Sequence, residues 1–80
     1  MQDEIGAKIA LFVREERKKR KLSQNKLAWK AGLTNIAIQN IENSRRKEPR
    51  ISTLLKICKA LGVPFSVLAK DLEQIQVKLK

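Results

Sequence analysis

Eighty residues make one small domain and leave no room for a second. With 18 Lys and Arg against 8 Asp and Glu, the net charge of +10 points to a polyanionic partner: nucleic acid, an anionic membrane surface or an acidic protein. The absence of histidine and the single cysteine, Cys58, exclude an intrachain disulfide, argue against a metal site and remove every Ser-His or Cys-His pair, so neither an enzyme nor a cofactor is expected.

Ile5, Ile9, Phe12 and Val13 recur at i, i+4, i+7 and i+8, one stripe of a first helix over residues 3–21. Its last part, REERKKRK (14–21), has no apolar residue and reads as a solvated helix end whose cations suit a C-terminus. The longest apolar run, IALFV at 9–13, is far too short to cross a bilayer. The N-terminus opens with acids rather than the basic segment of a signal peptide, so a cytoplasmic protein that does not engage membranes is expected.

Ser23 is a good N-cap for a second helix running to Gly32, although Lys26 stands where a capping box would place Glu or Gln. Gly32 permits the left-handed turn that ends it. Thr34 caps a third helix, Asn35 to about Asn43, with Ile38 and Ile41 facing inward. SRRKEPR (44–50) reads as a loop. Ile51, Leu54, Leu55, Cys58 and Leu61 mark a fourth helix ended by Gly62, and Pro64 opens a short fifth with Phe65, Leu68 and Leu72. The fold class is therefore all-α: a five-helix domain over residues 1–73. The tail 74–80, QIQVKLK, alternates polar and apolar residues. It fits either a frayed end or an edge strand through which Ile75, Val77 and Leu79 pair with a second subunit.

Between Ala31 and Ile41 there is no charged side chain, in a chain otherwise rich in charge. Within the same region Leu27, Ala28, Ala31, Leu33, Ile38 and Ile41 fall at core spacing on either side of Gly32. A helix, a short turn containing Gly and a second helix make a helix-turn-helix. The pieces LSQxxLA (22–28), the Gly32 turn, IxxIEN (38–43) and Pro49 through LLKICKALGV (54–63) resemble the Cro/phage-repressor type, or XRE-like, family over roughly residues 5–70.

That resemblance implies a five-helix fold binding double-stranded operator DNA as a homodimer, with the third helix in the major groove. Carried onto matching positions, it implies base contacts from Gln24, Asn35, Ile36, Gln39 and Asn40. Phosphate contacts would come from Ser23, Asn43 (through its backbone N–H), Arg45, Arg46, Lys47 and Arg50. Arg17 and Glu42 match an ion pair tying helix 1 to helix 3. The chain departs from the pattern at Ser44, where Gly is usual, at Glu16, where helix 1 is usually apolar, and at Arg50, in the usual cap position of helix 4.

The chemistry of these side chains suits the role independently. Asn and Gln pair bidentately with adenine N6 and N7, each good pair giving roughly 1–3 kcal/mol of discrimination, and aliphatic groups meet the thymine methyl. Lys and Arg outside the reading helix supply the attraction to phosphate that all sequences share. Other readings stay open here. The amides suit any exposed helix, Ile36 fits either the groove or the core, and Arg17 and Glu42 suit two unrelated surface charges. Trp29, off the core face of helix 2, is either a Trp resting on lysine stems or a contact for another protein. An antitoxin-type regulator that also binds a protein partner is the alternative function.

Overall fold

The computed structural model describes residues 4–43 and 49–75. The apolar stripe of the first segment lies on α1 (Glu4–Lys19), where Ile9, Phe12 and Val13 are buried. Glu16, in place of a usual apolar residue, sits at the rim and pairs with Arg20 at 2.7 Å, so the stripe keeps its register without it. Two hydroxyl caps then start the next two helices. The Lys26 N–H donates to Ser23 Oγ at 3.0 Å, opening α2 (Gln24–Ala31). The Ala37 N–H donates to Thr34 Oγ1 at 3.0 Å, opening α3 (Asn35–Glu42). Each such cap contributes about 1 kcal/mol by satisfying an N–H with no partner inside the helix. Arg50 precedes α4 (Ile51–Leu61) without a side-chain cap, and Pro64 precedes α5 (Phe65–Glu73).

Three helices end in the same hydrogen-bonded turn. After α2, Leu33 N–H donates to Ala28 O at 2.8 Å with Gly32 at φ +69°; after α4, Val63 N–H donates to Cys58 O at 3.0 Å with Gly62 at φ +73°. After α1, Leu22 N–H donates to Arg17 O at 3.1 Å, and the left-handed residue is Lys21, φ +56°. This turn closes the last helical carbonyls and normally selects Gly, because a Cβ there is strained. The sequence pattern carried α1 through Lys21; the helix stops at Lys19 because the chain reverses there.

Each helix contributes one almost fully buried side chain to a common centre: Val13, Leu27, Ile38, Ile57 and Leu68. Around them α1 packs on α3 and α5, and α2 packs on α3 and α4. The short α3 is thus supported from two sides. Past α5, Ile75 N–H donates to Leu72 O at 3.1 Å, a turn and not the start of a strand. Residues 76–80, including Val77 and Leu79 of the considered strand, lie outside the described residues.

Candidate nucleic-acid interface

Helical geometry divides α3 into two faces. At about 100° per residue, positions 36, 39, 40 and 43 fall within one sector, and 38, 41 and 42 fall opposite. Burial follows that division. Ile38, Ile41 and Glu42 are buried, whereas Ile36 is 66% exposed, Asn43 is exposed, and Gln39 and Asn40 are half-buried. Ile36 is therefore not a core residue. The apolar work on α3 is done from the other side, and this aliphatic side chain stands among amides facing outward.

Asn35 lies on the flank between these faces. Its Oδ1 is buried and accepts no hydrogen bond. The structure therefore separates Asn35 from the outward set of Ile36, Gln39, Asn40 and Asn43. Beside that set, a cleft of about 260 Å³ runs between α3 and the start of α4, lined by Thr34, Ile36, Asn40, Pro49 and Thr53 among others. Arg50, at the same end of α4, is exposed. Arg45, Arg46 and Lys47 lie outside the described residues, as does Ser44.

Glu42 anchors the far end of α3. Arg17 Nε donates to Glu42 Oε2 at 2.6 Å and Arg17 Nη2 to Oε1 at 3.0 Å, a two-pronged pairing that fixes orientation as well as distance. Arg17 Nη1 also donates to Leu22 O at 2.8 Å, tying the turn after α1 into the same cluster. The Glu42 side chain is 2% exposed. Burial pushes its carboxyl up, but hydrogen bonds from Arg17 and Gln24 and the charges of Arg17 and Arg14 prevail, holding it below the ordinary glutamate value.

Three residues expected at DNA make hydrogen bonds within the fold. Gln24 Nε2 donates to Glu42 Oε1 at 3.0 Å, so its amide N–H is turned toward the ion pair. The Asn43 N–H donates to Gln39 O at 2.9 Å, ending the helix; a phosphate at Asn43 would meet the exposed side chain and not that N–H. Ser23 serves α2 as its cap. Arg14, which the sequence reading passed over, donates from Nη2 to the Glu42 carbonyl at 2.9 Å. Its place three residues before Arg17, on the same side of α1, was the available signal. Among the described residues no three His, Cys, Asp or Glu side chains come together as a metal site would require. No described helix is long and apolar enough to cross a membrane.

This architecture has known counterparts. The restriction-modification controller protein C.AhdI from Aeromonas hydrophila superimposes with a TM-score of 0.74 at 28% identity, over 79% of this chain and 94% of that one. A mutant of the controller protein C.Esp1396I, solved bound to its highest affinity operator site, gives a TM-score of 0.77 at 26% identity, over 91% of this chain and all of that one. By sequence, the chain is 38% identical over 64 residues to the HTH-type transcriptional regulator RghRB of Bacillus subtilis, covering 80% of this chain and 46% of RghRB. The chain spans less than half the length of the curated relatives it matches. A helix-turn-helix family model matches residues 13–68, which takes in all of α2, α3 and α4. The chain thus belongs to the helix-turn-helix family of Cro/phage-repressor, or XRE-like, type.

Proposed function

We propose that this protein binds double-stranded DNA sequence-specifically as a homodimer and regulates transcription, with α3 lying in the major groove. The observation that carries this reading is the division of α3. Its inner face is held by Ile38, Ile41 and the Arg17–Glu42 pair, while its outer face presents Ile36, Gln39, Asn40 and Asn43 without a charge. A held backbone with amides on its outer face suits the donor and acceptor pattern of base edges, and an exposed aliphatic group suits the thymine methyl. The C.Esp1396I complex with its operator supports the same reading through a related fold. Arg45, Arg46 and Lys47, which follow the reading helix in the chain, together with Arg50, would neutralise phosphates.

Homodimer formation has its own support on α4. Ile51 and Leu55, one turn apart on the same side of that helix, are 59% and 47% exposed. A second copy would cover them.

Anisotropy titrations of labelled duplexes test the reading. The wild-type protein should favour one duplex family over shuffled sequence by at least about 10³ at physiological salt. Replacing Ile36 and Asn40 together by Ala should collapse that ratio while leaving the shuffled-sequence affinity nearly unchanged. An equal loss on both duplexes would remove α3 as the reader.

A further inference from the structure

Trp29 is 80% exposed on α2, more than any other large apolar side chain on the described surface. Beside it opens a groove of about 710 Å³, formed where the C-terminal ends of α1, α2 and α4 converge. Trp29 and Leu22 give it an apolar wall, and Arg20, Lys30, Lys56 and Lys59 surround that wall with positive charge. No Asp or Glu lines it. Among the described residues Arg20 pairs with Glu16 at 2.7 Å, and none of the three lysines meets a carboxylate. The three helix ends contribute partial negative charge of about half a unit each, which the three lysines outweigh even with Arg20 paired to Glu16.

The groove is separate from the reading face. None of its lining residues belongs to α3, and it uses the Lys56–Gly62 end of α4, whereas the cleft beside Ile36 and Asn40 uses Pro49 and Thr53 at the other end. A phosphate backbone would satisfy the cations but place nothing apolar against Trp29 and Leu22. A protein segment satisfies both requirements. Exposed apolar surface with a charged rim is the usual signature of a protein contact, and Trp is over-represented among the residues that dominate such contacts.

We propose that this groove docks an acidic segment of a partner protein, one that sets a Leu- or Phe-sized side chain against Trp29 and Leu22 with Asp or Glu on either side. The contact uses no residue of α3.

Trp29 is the only tryptophan, so its emission reports on the groove directly. The probe is a capped synthetic peptide in which Asp and Glu flank a Leu-Phe pair. The comparison ligands are the same peptide with Asn and Gln, a random-sequence DNA duplex, and phosphatidylglycerol vesicles. The expected result is a saturable blue shift with the acidic peptide, absent with its amide counterpart. Lys56→Glu combined with Lys59→Glu should weaken that binding by about tenfold or more. With labelled peptide followed by anisotropy, Trp29→Ala should lose binding while circular dichroism shows an intact fold and duplex binding through α3 is retained. Asn40→Ala should leave peptide binding unchanged, which separates this site from the DNA reading. No saturable shift, an equal response to the amide peptide, or tighter engagement of Trp29 by duplex or vesicles would overturn the proposal.

Discussion

Arg17 and Glu42, 25 residues apart in sequence, meet through two hydrogen bonds of 2.6 and 3.0 Å, and the same guanidinium holds the Leu22 carbonyl. The end of α1, the turn that follows it and the end of α3 are thus fixed relative to one another by one side chain. Removing it leaves a buried carboxylate with Gln24 as its remaining side-chain donor. Arg17→Ala should cost about 3 kcal/mol, as breaking one side of a buried pair does. The double replacement Arg17→Met with Glu42→Leu should recover most of that loss. Urea unfolding of the wild type and the two variants checks both values.

The same pair sets an acid limit. Because the folded-state Glu42 carboxyl is held below its ordinary value near 4.5, its contribution is complete above that pH and lost as pH falls through the lower folded value. Unfolding midpoints followed from neutral pH downward should therefore drop below about pH 4.5, and more steeply in wild type than in Glu42→Gln. Part of the acid response should survive in the variant. A hydrogen bond from Arg20 foremost, with further help from Lys19, keeps Glu16 low despite some burial, so Glu16 titrates in the same direction.

Lys21 occupies a backbone conformation that Gly32 and Gly62 occupy at the equivalent turns. Relief of Cβ strain exceeds the added chain entropy of Gly there, so Lys21→Gly should stabilise the fold by about 0.5–1 kcal/mol. A shift of the urea midpoint to higher concentration at unchanged slope is the expected observation.

Ile36 and Ile38 are two residues apart, yet one lies outside the core and the other within it. Ile38, with no exposed surface, should cost about 2–5 kcal/mol on replacement by Ala. Ile36, 66% exposed, should change stability by less than about 0.5 kcal/mol. Thermal unfolding of the two variants side by side makes the comparison.

Leu55→Glu places a charge on the exposed side of α4. If Ile51 and Leu55 meet a second copy, sedimentation should show a shift from dimer toward monomer, with folding retained because Leu55 is 47% exposed. An unchanged dimer would move the interface elsewhere.

Much of this fold was legible in the residues. The helix starts at Ser23 and Thr34 and the ends at Gly32 and Gly62 follow from side-chain chemistry that acts locally, and the structure shows them at those positions. Lys21 was not legible, because nothing in a lysine announces a left-handed turn; the reversal lets α1 and α2 both pack on α3. The residue types on α3 were legible in the sequence, but the exposure of each was not. Asn35 and Asn40 carry the same amide, yet one has a buried oxygen on the flank of α3 and the other lines the outer cleft. Similarly, the family resemblance implies Gln24 as a DNA contact, and only the folded chain places its amide on Glu42.

Selection of bound duplexes from a random pool, run with wild type and with Asn40→Ala, tests the central claim most directly. Wild type should enrich a two-fold related motif whose half-site centres lie about 34 Å apart, or a multiple of that spacing. The variant should lose preference at a base pair in each half-site while keeping the rest of the motif. Recovery of no motif by wild type, or of an unaltered motif by the variant, would contradict base reading by α3.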